Sequence, residues 1–324
     1  MKYRQLGNAG VRVSAIGLGS YLTIGMSIDE KIGRATFDKA LELGINFIDT
    51  ADAYNNGEAE RALSGLLSGI NRQDIVLATK AYSPMSENPN DQGLSAKHLF
   101  EGCHNSLRRL GVDYLDLFQC HRPDSSVPLA ETVRVMDDLK RQGKILYWGT
   151  SEWPAWMIAE ANAIADRNGF APAVSNQPRY NLYYRHPEME LWPFCAKNGI
   201  GNVVFSPLAH GILTGKYQPG QPPDAGTRAA DPKQNSVMMN LYWTEPNLKK
   251  SQQFSAIAAE MGVRPSQLAL AWVLRRSEVS SAIIGATKVA QLEENVTAVD
   301  IAIADDVLAK LDEVFPPMVE TYPG

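Results

Sequence analysis

The feature that most constrains the fold is an alternation of short β-branched runs with helical periodicity, which begins near residue 13 and recurs to about residue 299. Such alternation predicts βα units and a parallel sheet. Eight units follow one another without a linker or a change of composition, which favours a closed (β/α)8 barrel over an open doubly wound sheet. The strand-like runs cover residues 13–19, 46–49, 75–80, 114–121, 145–151, 173–177, 201–208 and 280–287. We therefore expect a single α/β domain, a TIM barrel, over residues 1–324.

Three segments lie outside this alternation. Residues 2–17 resemble a small β-hairpin with "GNAG" as its turn, which could close the N-terminal end of the barrel. A C-terminal extra helix is predicted at about 304–314, directly before Pro316 and Pro317. The stretch 209–250 is rich in Gly, Pro, Asp and Asn and is too long for an ordinary connection, so we interpret it as a functional loop or lid.

Composition and charge exclude several classes of function. The 324 residues include 31 Lys and Arg against 36 Asp and Glu, a net charge of −5, and no basic block that could neutralise a run of phosphates. A nucleic-acid partner is therefore not expected. The cysteines, Cys103, Cys120 and Cys195, form no CxxC pair, as expected for thiols in a reducing cytosol. There is no signal-like N-terminal segment and no apolar stretch of about 18 residues, which predicts a cytoplasmic protein without a membrane span.

The predicted strands end in polar residues. In a (β/α)8 barrel, active-site residues come from the C-terminal ends of the strands. A single polar strand end is more often a structural ion pair than a catalytic group, but here six consecutive strands end this way, which favours a functional site. The residues are Asp49, Lys80, His121, Ser151, Asn176, Gln177 and Ser206.

Asp49, Lys80 and His121 end neighbouring strands, and Tyr54 lies in the loop after the first of them. A phenol with a usual pKa of about 10 becomes a better proton donor when a nearby ammonium lowers that pKa. Asp49 can keep Lys80 charged and oriented, and His121 can hydrogen-bond a carbonyl oxygen or relay a proton. These residues predict that Tyr54 protonates an oxygen that becomes negative during the reaction. A solvent-facing tyrosine beside a buried salt bridge is the structural alternative.

A proton donated to an alkoxide implies that hydride arrives from elsewhere, yet the chain lacks the usual dinucleotide signature. "GLGSYL" lacks the third glycine of a GxGxxG motif, and no metal-binding spacing is present. A barrel can instead hold phosphate at the loops after its seventh and eighth strands, against a helix N-terminus. The segment "IIGATKVAQLEEN" fits this through Gly285, Thr287 and Lys288, although an ordinary capped surface helix would look the same.

Seven motifs, in order along nearly the whole chain, strongly resemble the aldo-keto reductases. They are "NFIDTADAYNNGEAE", "VLATK", "DLFQCHRPD", "YWGTSEW", "SNQPRYNL", "FSPLAHGILTGKY" and "IIGATKVAQLEEN". The resemblance implies a (β/α)8 barrel that uses NADPH to reduce aldehydes and ketones, with Asp49, Tyr54, Lys80 and His121 as the catalytic tetrad. "YWGTS", "GLSAKH" and "TGKY" are most similar to the branch that contains the potassium-channel β subunits and their bacterial relatives.

The resemblance also implies where NADPH would bind. Ser151 and Gln177, with Asn176 beside them, match the positions at the nicotinamide carboxamide, and Phe205 matches the aromatic ring that stacks on the nicotinamide. The positions around the pyrophosphate are Ser206, Leu208, Gly211 and Lys216, with Arg228 in the following lid as a clamp. The positions at the adenosine end are Gly285, Thr287, Gln291, Glu294 and Asn295, and Lys288 is placed for a 2′-phosphate, which favours NADPH over NADH.

Some residues depart from the family pattern. Asn55 stands where a glycine commonly follows the catalytic tyrosine, a loop difference that leaves Tyr54 usable. "HRPD" replaces the "NRPD" of the channel β subunits, and Met1 stands almost at the hairpin, without their N-terminal extension. Both differences disfavour a pure channel-binding or redox-sensing role. An NADPH-binding regulatory subunit with slow turnover is the alternative function, and a phosphate-binding isomerase or aldolase with Lys80 as a Schiff-base nucleophile is a third hypothesis.

Four side chains are candidates for the wall of a substrate pocket, and each could equally be packing: Tyr21, Met26, Tyr82 and Trp153. They suggest an apolar pocket for a small aldehyde or ketone, such as an aromatic or short-chain aldehyde. The identity of the substrate depends on loop geometry that the sequence does not give. A homo-oligomer, a tetramer or larger, is an expectation from the β-subunit-like branch alone.

Overall fold

A computed structural model describes residues 1–232 and 234–318 of the chain. Its strands are Tyr3–Gln5 (β1), Arg12–Ser14 (β2), Ile16–Gly19 (β3), Phe47–Asp49 (β4), Val76–Ala81 (β5), Leu115–Cys120 (β6), Ile145–Ser151 (β7), Ser175–Gln177 (β8), Gly201–Val204 (β9) and Val279–Ile284 (β10). Strands β3 to β10 form a closed barrel in sequence order, with β10 paired to β3 and every barrel pairing parallel. The predicted (β/α)8 barrel is confirmed.

Helices separate the barrel strands and cover their outer faces. The α-helices among the described residues are Glu30–Glu42 (α1), Glu58–Leu67 (α2), Ala96–Leu110 (α3), Leu129–Arg141 (α4), Ala155–Asn168 (α5), Leu191–Asn198 (α6), Ser236–Leu241 (α7), Glu245–Glu260 (α8), Pro265–Leu274 (α9), Val289–Val296 (α10) and Asp305–Val314 (α11). The predicted N-cap of α3 is present, because the Ser95 hydroxyl accepts a hydrogen bond from the His98 backbone N–H at 3.2 Å. The C-terminal extra helix is α11.

An apolar core fills the N-terminal half of the barrel interior. Its buried side chains are Leu6, Val13, Phe47, Val76, Ala78, Leu117, Val203 and Ile283. Leu6 and Val13 belong to the antiparallel β1–β2 hairpin, which therefore closes this end of the barrel as expected. Gly7 has a φ of 57° and lies so close to the barrel that an added Cβ would stand 2.3 Å from the Gly199 carbonyl oxygen. Only glycine fits there, and the opposite end of the barrel is left for chemistry.

Two predicted boundaries were wrong. The first barrel strand was predicted to begin at Val13, but Val13 lies in β2 and the barrel strand β3 begins at Ile16. Ala15 lies between the two strands, and its backbone N–H donates to the Lys2 carbonyl at 2.9 Å. The stretch 209–250 is also not a continuous loop, because it contains α7 and the first turns of α8. The Thr244 hydroxyl caps α8, and Pro246 occupies its first turn, a position where a missing N–H costs nothing.

Candidate active site

The centre of the barrel mouth is a buried ion pair. Asp49 is the last residue of β4, and Lys80 lies one residue before the end of β5. The Lys80 Nζ donates to Asp49 Oδ2 and to the Thr50 carbonyl, both at 2.7 Å, and lies 3.3 Å from the Tyr54 hydroxyl oxygen. The Lys80 side chain has no exposed surface. The structure thus brings together the acid, the ammonium and the phenol that the sequence singled out.

The electrostatics of this group follow from burial and from its internal charges. Burial alone would lower the pKa of Lys80, but the charges of Asp49 and Tyr54 and the hydrogen bonds to them raise that pKa above its usual value. Burial raises the pKa of Tyr54, and this effect outweighs the lowering by Lys80. The expected net lowering of the Tyr54 pKa was therefore wrong, because burial destabilises the phenolate by more than the Lys80 ammonium stabilises it. Tyr54 is a phenol at neutral pH, with a proton to donate.

His121 directly follows β6 and completes the group. Its ring lies edge-on to that of Tyr54, with 5.7 Å between the ring centroids. Burial, then the charges of Lys80 and Arg122, hold the pKa of His121 well below its usual value, so the ring is neutral at pH 7. Its buried Nδ1 has no hydrogen-bond partner among the described residues. A neutral imidazole has a second nitrogen, Nε2, that can hydrogen-bond and orient a carbonyl oxygen.

Ser151 and Gln177 face the same mouth, whereas Asn176 does not. The Gln177 amide donates to Asp49 Oδ1 at 2.9 Å, and the Ser151 hydroxyl donates to the Gln177 carbonyl at 3.0 Å. Asn176 accepts from the Thr150 hydroxyl at 2.8 Å and donates to the Trp153 carbonyl at 3.3 Å. Successive side chains on a strand point to opposite faces, so Asn176 faces the helices while Gln177 faces the interior.

Arg122 was missed by the sequence reasoning, although it is the second residue of "HRPD". Its guanidinium donates to the His121 carbonyl at 2.5 Å and to the Ser151 hydroxyl at 3.3 Å. Its charge acts on the pKa values of both Tyr54 and His121. An arginine directly after a strand-end histidine was the signal that could have identified it.

The segment after β9 has an unusual backbone. Ser206, Ala209 and His210 have φ values of 53°, 47° and 57°, a left-handed conformation that costs energy for non-glycine residues, and Gly211 continues it at 102°. The Ser206 hydroxyl lies 3.1 Å from the His210 Nε2. His210 is a second missed residue: burial, then the charges of Arg228 and Arg179, lower its pKa to about 4. Phe205 and Leu208 are half-buried beside this segment.

Three cations lie beyond this segment. Burial and the charges of Arg228 and Lys288 lower the pKa of Lys216, which places both of these cations within electrostatic reach of Lys216. Burial also lowers the pKa of Arg228. In residues 1–232 and 234–318, no carboxylate lies within ion-pair distance of any of the three. Unpaired cations that repel one another form a surface that favours a polyanion.

The loop after β10 is held by its own helix. Gln291 of α10 accepts a hydrogen bond from the Thr287 backbone N–H at 2.8 Å. A Cβ added at Gly285 would stand 3.2 Å from the Thr23 side chain, so the backbone there is closely packed. Glu294 accepts from the Ser266 hydroxyl of α9 at 2.5 Å, which turns it toward the neighbouring helix, and Asn295 is buried.

The candidate pocket-wall residues differ in their exposure. The Tyr21 ring lies 5.0 Å from that of Tyr54 and is 40% exposed, which places it at the mouth. Met26 is exposed, and Tyr82 is half-buried. Trp153 is only 1% exposed and packs in the core around the barrel. Trp153 therefore serves packing.

Two absences hold for the part of the chain that the structure describes. It contains no cluster of His, Cys, Asp and Glu side chains arranged to bind a metal ion. None of its helices combines the length and the apolarity needed to cross a lipid bilayer.

The structure is a closed barrel whose mouth holds a buried lysine–carboxylate pair beside a phenol. Comparison with known sequences identifies the class of protein that has these features. The model of the aldo/keto reductase family matches residues 15–315. The chain belongs to the aldo/keto reductase family.

Three relatives match almost the full chain. A "Probable voltage-gated potassium channel subunit beta" of Oryza sativa subsp. japonica is 39% identical, over 99% of this chain and 100% of the relative. A protein of the same name from Arabidopsis thaliana is 40% identical with the same coverage. A "Putative voltage-gated potassium channel subunit beta" of Schizosaccharomyces pombe is 41% identical, over 99% of this chain and 95% of the relative. The resemblance to the branch of channel β subunits is confirmed.

Proposed function

We propose that this protein reduces aldehydes or ketones to alcohols with NADPH. The observation that carries the proposal is the position of the Lys80 ammonium, bonded to Asp49 and 3.3 Å from the hydroxyl of a protonated Tyr54 at the barrel mouth. Membership of the aldo/keto reductase family supports an oxidoreductase function. Carbonyl reduction needs a proton donor poised where negative charge develops, and Tyr54 is such a donor.

The residues present suit NADPH. Members of the family generally bind NADP(H), and the unpaired Lys216, Arg228 and Lys288 supply the positive charge that its phosphates require. Ser151 and Gln177 would hold the carboxamide, and the Phe205 ring would face the nicotinamide. When bound, NADPH supplies the hydride.

Each residue of the mouth then has one task. Tyr54 donates its proton to the carbonyl oxygen as negative charge develops there. Lys80 stabilises the tyrosinate that is left, since its ammonium already lies 3.3 Å from that oxygen. Asp49 fixes Lys80 and keeps it charged. The neutral imidazole of His121 orients the substrate carbonyl. Arg122 fixes the His121 backbone carbonyl and the Ser151 hydroxyl through its hydrogen bonds to them.

A second candidate function is a regulatory subunit that binds NADPH and turns over slowly. The observation that favours it is the name of the three relatives, each a channel β subunit. Both functions share the cofactor site, so they differ in turnover and not in NADPH affinity. His121 favours the enzyme, because a neutral imidazole beside Tyr54 is suited to a carbonyl substrate.

The test follows NADPH and NADH oxidation with a panel of aromatic and short-chain aldehydes. We expect turnover that prefers NADPH and that falls about 10²- to 10⁴-fold in Tyr54→Phe, the usual contribution of one general acid. Tyr21→Phe is the matched control, since no hydrogen bond joins this neighbouring phenol to Lys80, and it should retain turnover. Tight NADPH binding without turnover of any aldehyde would favour the regulatory subunit. Loss of turnover in Tyr21→Phe alone would overturn the assignment of the donor.

A further inference from the structure

A cavity lies outside the barrel mouth. It has a volume of about 270 Å³ and lies between the segment after β8, the helices α7 and α8, and the chain after α11. Typical ligand pockets measure about 300–1,000 Å³, so this cavity suits a single-ring molecule and is too small for a dinucleotide. Its walls include three tyrosines, Tyr183, Tyr184 and Tyr242, together with Phe315.

Two cations in the cavity wall have no acidic partner. Arg179 and Lys250 both line the cavity, and no carboxylate of the described residues lies within ion-pair distance of either side chain. The Arg179 guanidinium lies 3.8 Å from the centroid of the Tyr184 ring, and its buried Nε has no hydrogen-bond partner in the described parts of the chain. The nearby Glu152 carboxylate accepts instead from the Arg179 backbone N–H, at 2.6 Å. A guanidinium that has no carboxylate partner in a protein wall can donate to an anion.

We propose that this cavity binds a small aromatic carboxylate. The flat fork of a guanidinium matches a carboxylate in a bidentate geometry, which favours a carboxylate over a simple point charge. The tyrosine and phenylalanine rings offer faces and edges on which one aromatic ring can stack. Lys250 adds a second positive charge at 5.9 Å from the Phe315 ring. Tyr242, which lines the cavity, accepts a hydrogen bond at its hydroxyl from Asn181 at 3.2 Å.

The cavity is connected to the segment after β9. The Asn181 amide that reaches Tyr242 also donates to the Ser206 carbonyl at 2.9 Å. The Tyr242 ring lies 5.9 Å from the His210 ring, and the Arg179 backbone pairs with that of Phe205. If the proposed cofactor site is correct, a bound carboxylate places a negative charge behind the residues that face NADPH. The two ligands therefore weaken each other's binding by the same factor.

The first experiment titrates the full-length protein, without nucleotide, with benzoate by calorimetry. We expect saturable binding in the millimolar range, as for a ligand of this size. Benzamide, which is isosteric but uncharged, and inorganic phosphate, which has no ring, should bind at least about tenfold more weakly, the cost of losing one charge-assisted contact or the ring burial.

Variants locate the site. Arg179→Gln and Lys250→Gln should each weaken the binding of benzoate about tenfold. Lys249→Gln is the matched control, because this lysine is the next one on α8 but pairs with Glu245 at 3.1 Å outside the cavity. Unchanged thermal melting of Lys250→Gln keeps the test valid if Arg179→Gln destabilises the fold. Benzoate binding that both cavity variants leave unchanged would overturn the site, and equal binding of phosphate would overturn the ligand class.

The coupling is tested separately, by measuring the Kd of NADPH with and without saturating benzoate. A rise of a few fold in the wild type that disappears in Lys250→Gln is expected. Benzoate binding without any change in the NADPH Kd would refute the coupling. A protein that binds benzoate but not NADPH would refute the proposed cofactor site and leave the cavity site standing.

Discussion

Thr79 and Lys80 are neighbours on β5, yet they belong to two different polar networks on opposite faces of the strand. Thr79 faces the helices and donates to Glu60 Oε1 of α2 at 2.6 Å, while Arg109 of α3 donates to Glu60 Oε2 at the same distance. Lys80 faces the interior and bonds Asp49 and Tyr54. Both networks centre on a buried carboxylate–cation pair, but only the interior one opens on the barrel mouth.

The difference between the networks lies in what is left unsatisfied. The outer network is closed, since both Glu60 oxygens are bonded and Arg109 also donates to the Ser106 hydroxyl at 3.1 Å. The inner network keeps spare capacity at the Tyr54 hydroxyl, which accepts from Lys80 and still carries its own proton, and at the His121 ring beside it. A closed network fixes positions, whereas spare donors next to a cation can act on a substrate. A buried ion pair therefore becomes chemically useful through its unsatisfied neighbours.

The largest expected effect is on turnover, from breaking the inner network. Lys80→Met removes the cation that stabilises the tyrosinate, and we expect aldehyde turnover to fall about 10²- to 10⁴-fold. Steady-state kinetics with NADPH measure this, and Lys97→Met on the exposed face of α3 is the control. Turnover within a few fold of the parent would contradict the role of Lys80.

The next effect is on stability, from breaking the outer network. Glu60→Ala leaves the Arg109 guanidinium, only 12% exposed, without its carboxylate, and we expect the free energy of unfolding to fall by about 3–5 kcal/mol. Chemical denaturation measures this loss. The control is Glu58→Ala, whose pair with Arg61 is more than half exposed on both sides and contributes about 0–1 kcal/mol. A loss of turnover in folded Glu60→Ala as large as in Lys80→Met would contradict the separation of the two networks.

A third effect distinguishes the networks by pH. Burial, then the charges of Lys80 and Arg122, lower the pKa of His121 in the native protein. Below about pH 6.5 this histidine is therefore protonated in the unfolded chain but stays neutral in the native protein. Stability therefore falls as the pH decreases through that value, by up to about 1.4 kcal/mol per pH unit for this group. Denaturation curves at about pH 7, 6 and 5 should show a shallower loss of stability in His121→Gln. An unchanged slope would argue against a neutral buried imidazole.

The smallest effect concerns Asp52, which lies between the networks. Burial, then the charge of Glu60, raise the pKa of Asp52 well above its usual value, and its Oδ2 has no partner among the described residues. The native protein holds a proton that the unfolded chain releases above about pH 4, so stability is lost as the pH rises through that region. Asp52→Asn mimics the protonated acid, and we expect it to raise the free energy of unfolding at neutral pH by about 0.5–2 kcal/mol. Destabilisation at neutral pH would show that the carboxylate is needed.

The inner network was predictable from the sequence and the outer one was not. Asp49, Lys80 and His121 end strands, and strand ends of a barrel converge whatever the loops do. Glu60 and Arg109 lie on different helices, and no local pattern indicates that they meet. Asn176 was predicted at the mouth because it and Gln177 both end the sixth predicted strand, but the alternation of side chains along β8 turns it to the other face. The net pKa of Tyr54 depended on the extent of burial, which a sequence does not give.

The closure of the barrel by the N-terminal hairpin has a consequence for synthesis in the cell. The Arg4 guanidinium donates to the carbonyls of Leu274 and Val279, both at 2.6 Å, and β3 finds its second neighbour only in β10. During synthesis β3 leaves the ribosome well before β10 and must wait for it to complete its pairing. Until then the nascent chain is an open sheet with an uncovered apolar inner face and two free edges, the state in which chains aggregate. We expect such a nascent chain to depend on chaperones that shield it until the ring can close.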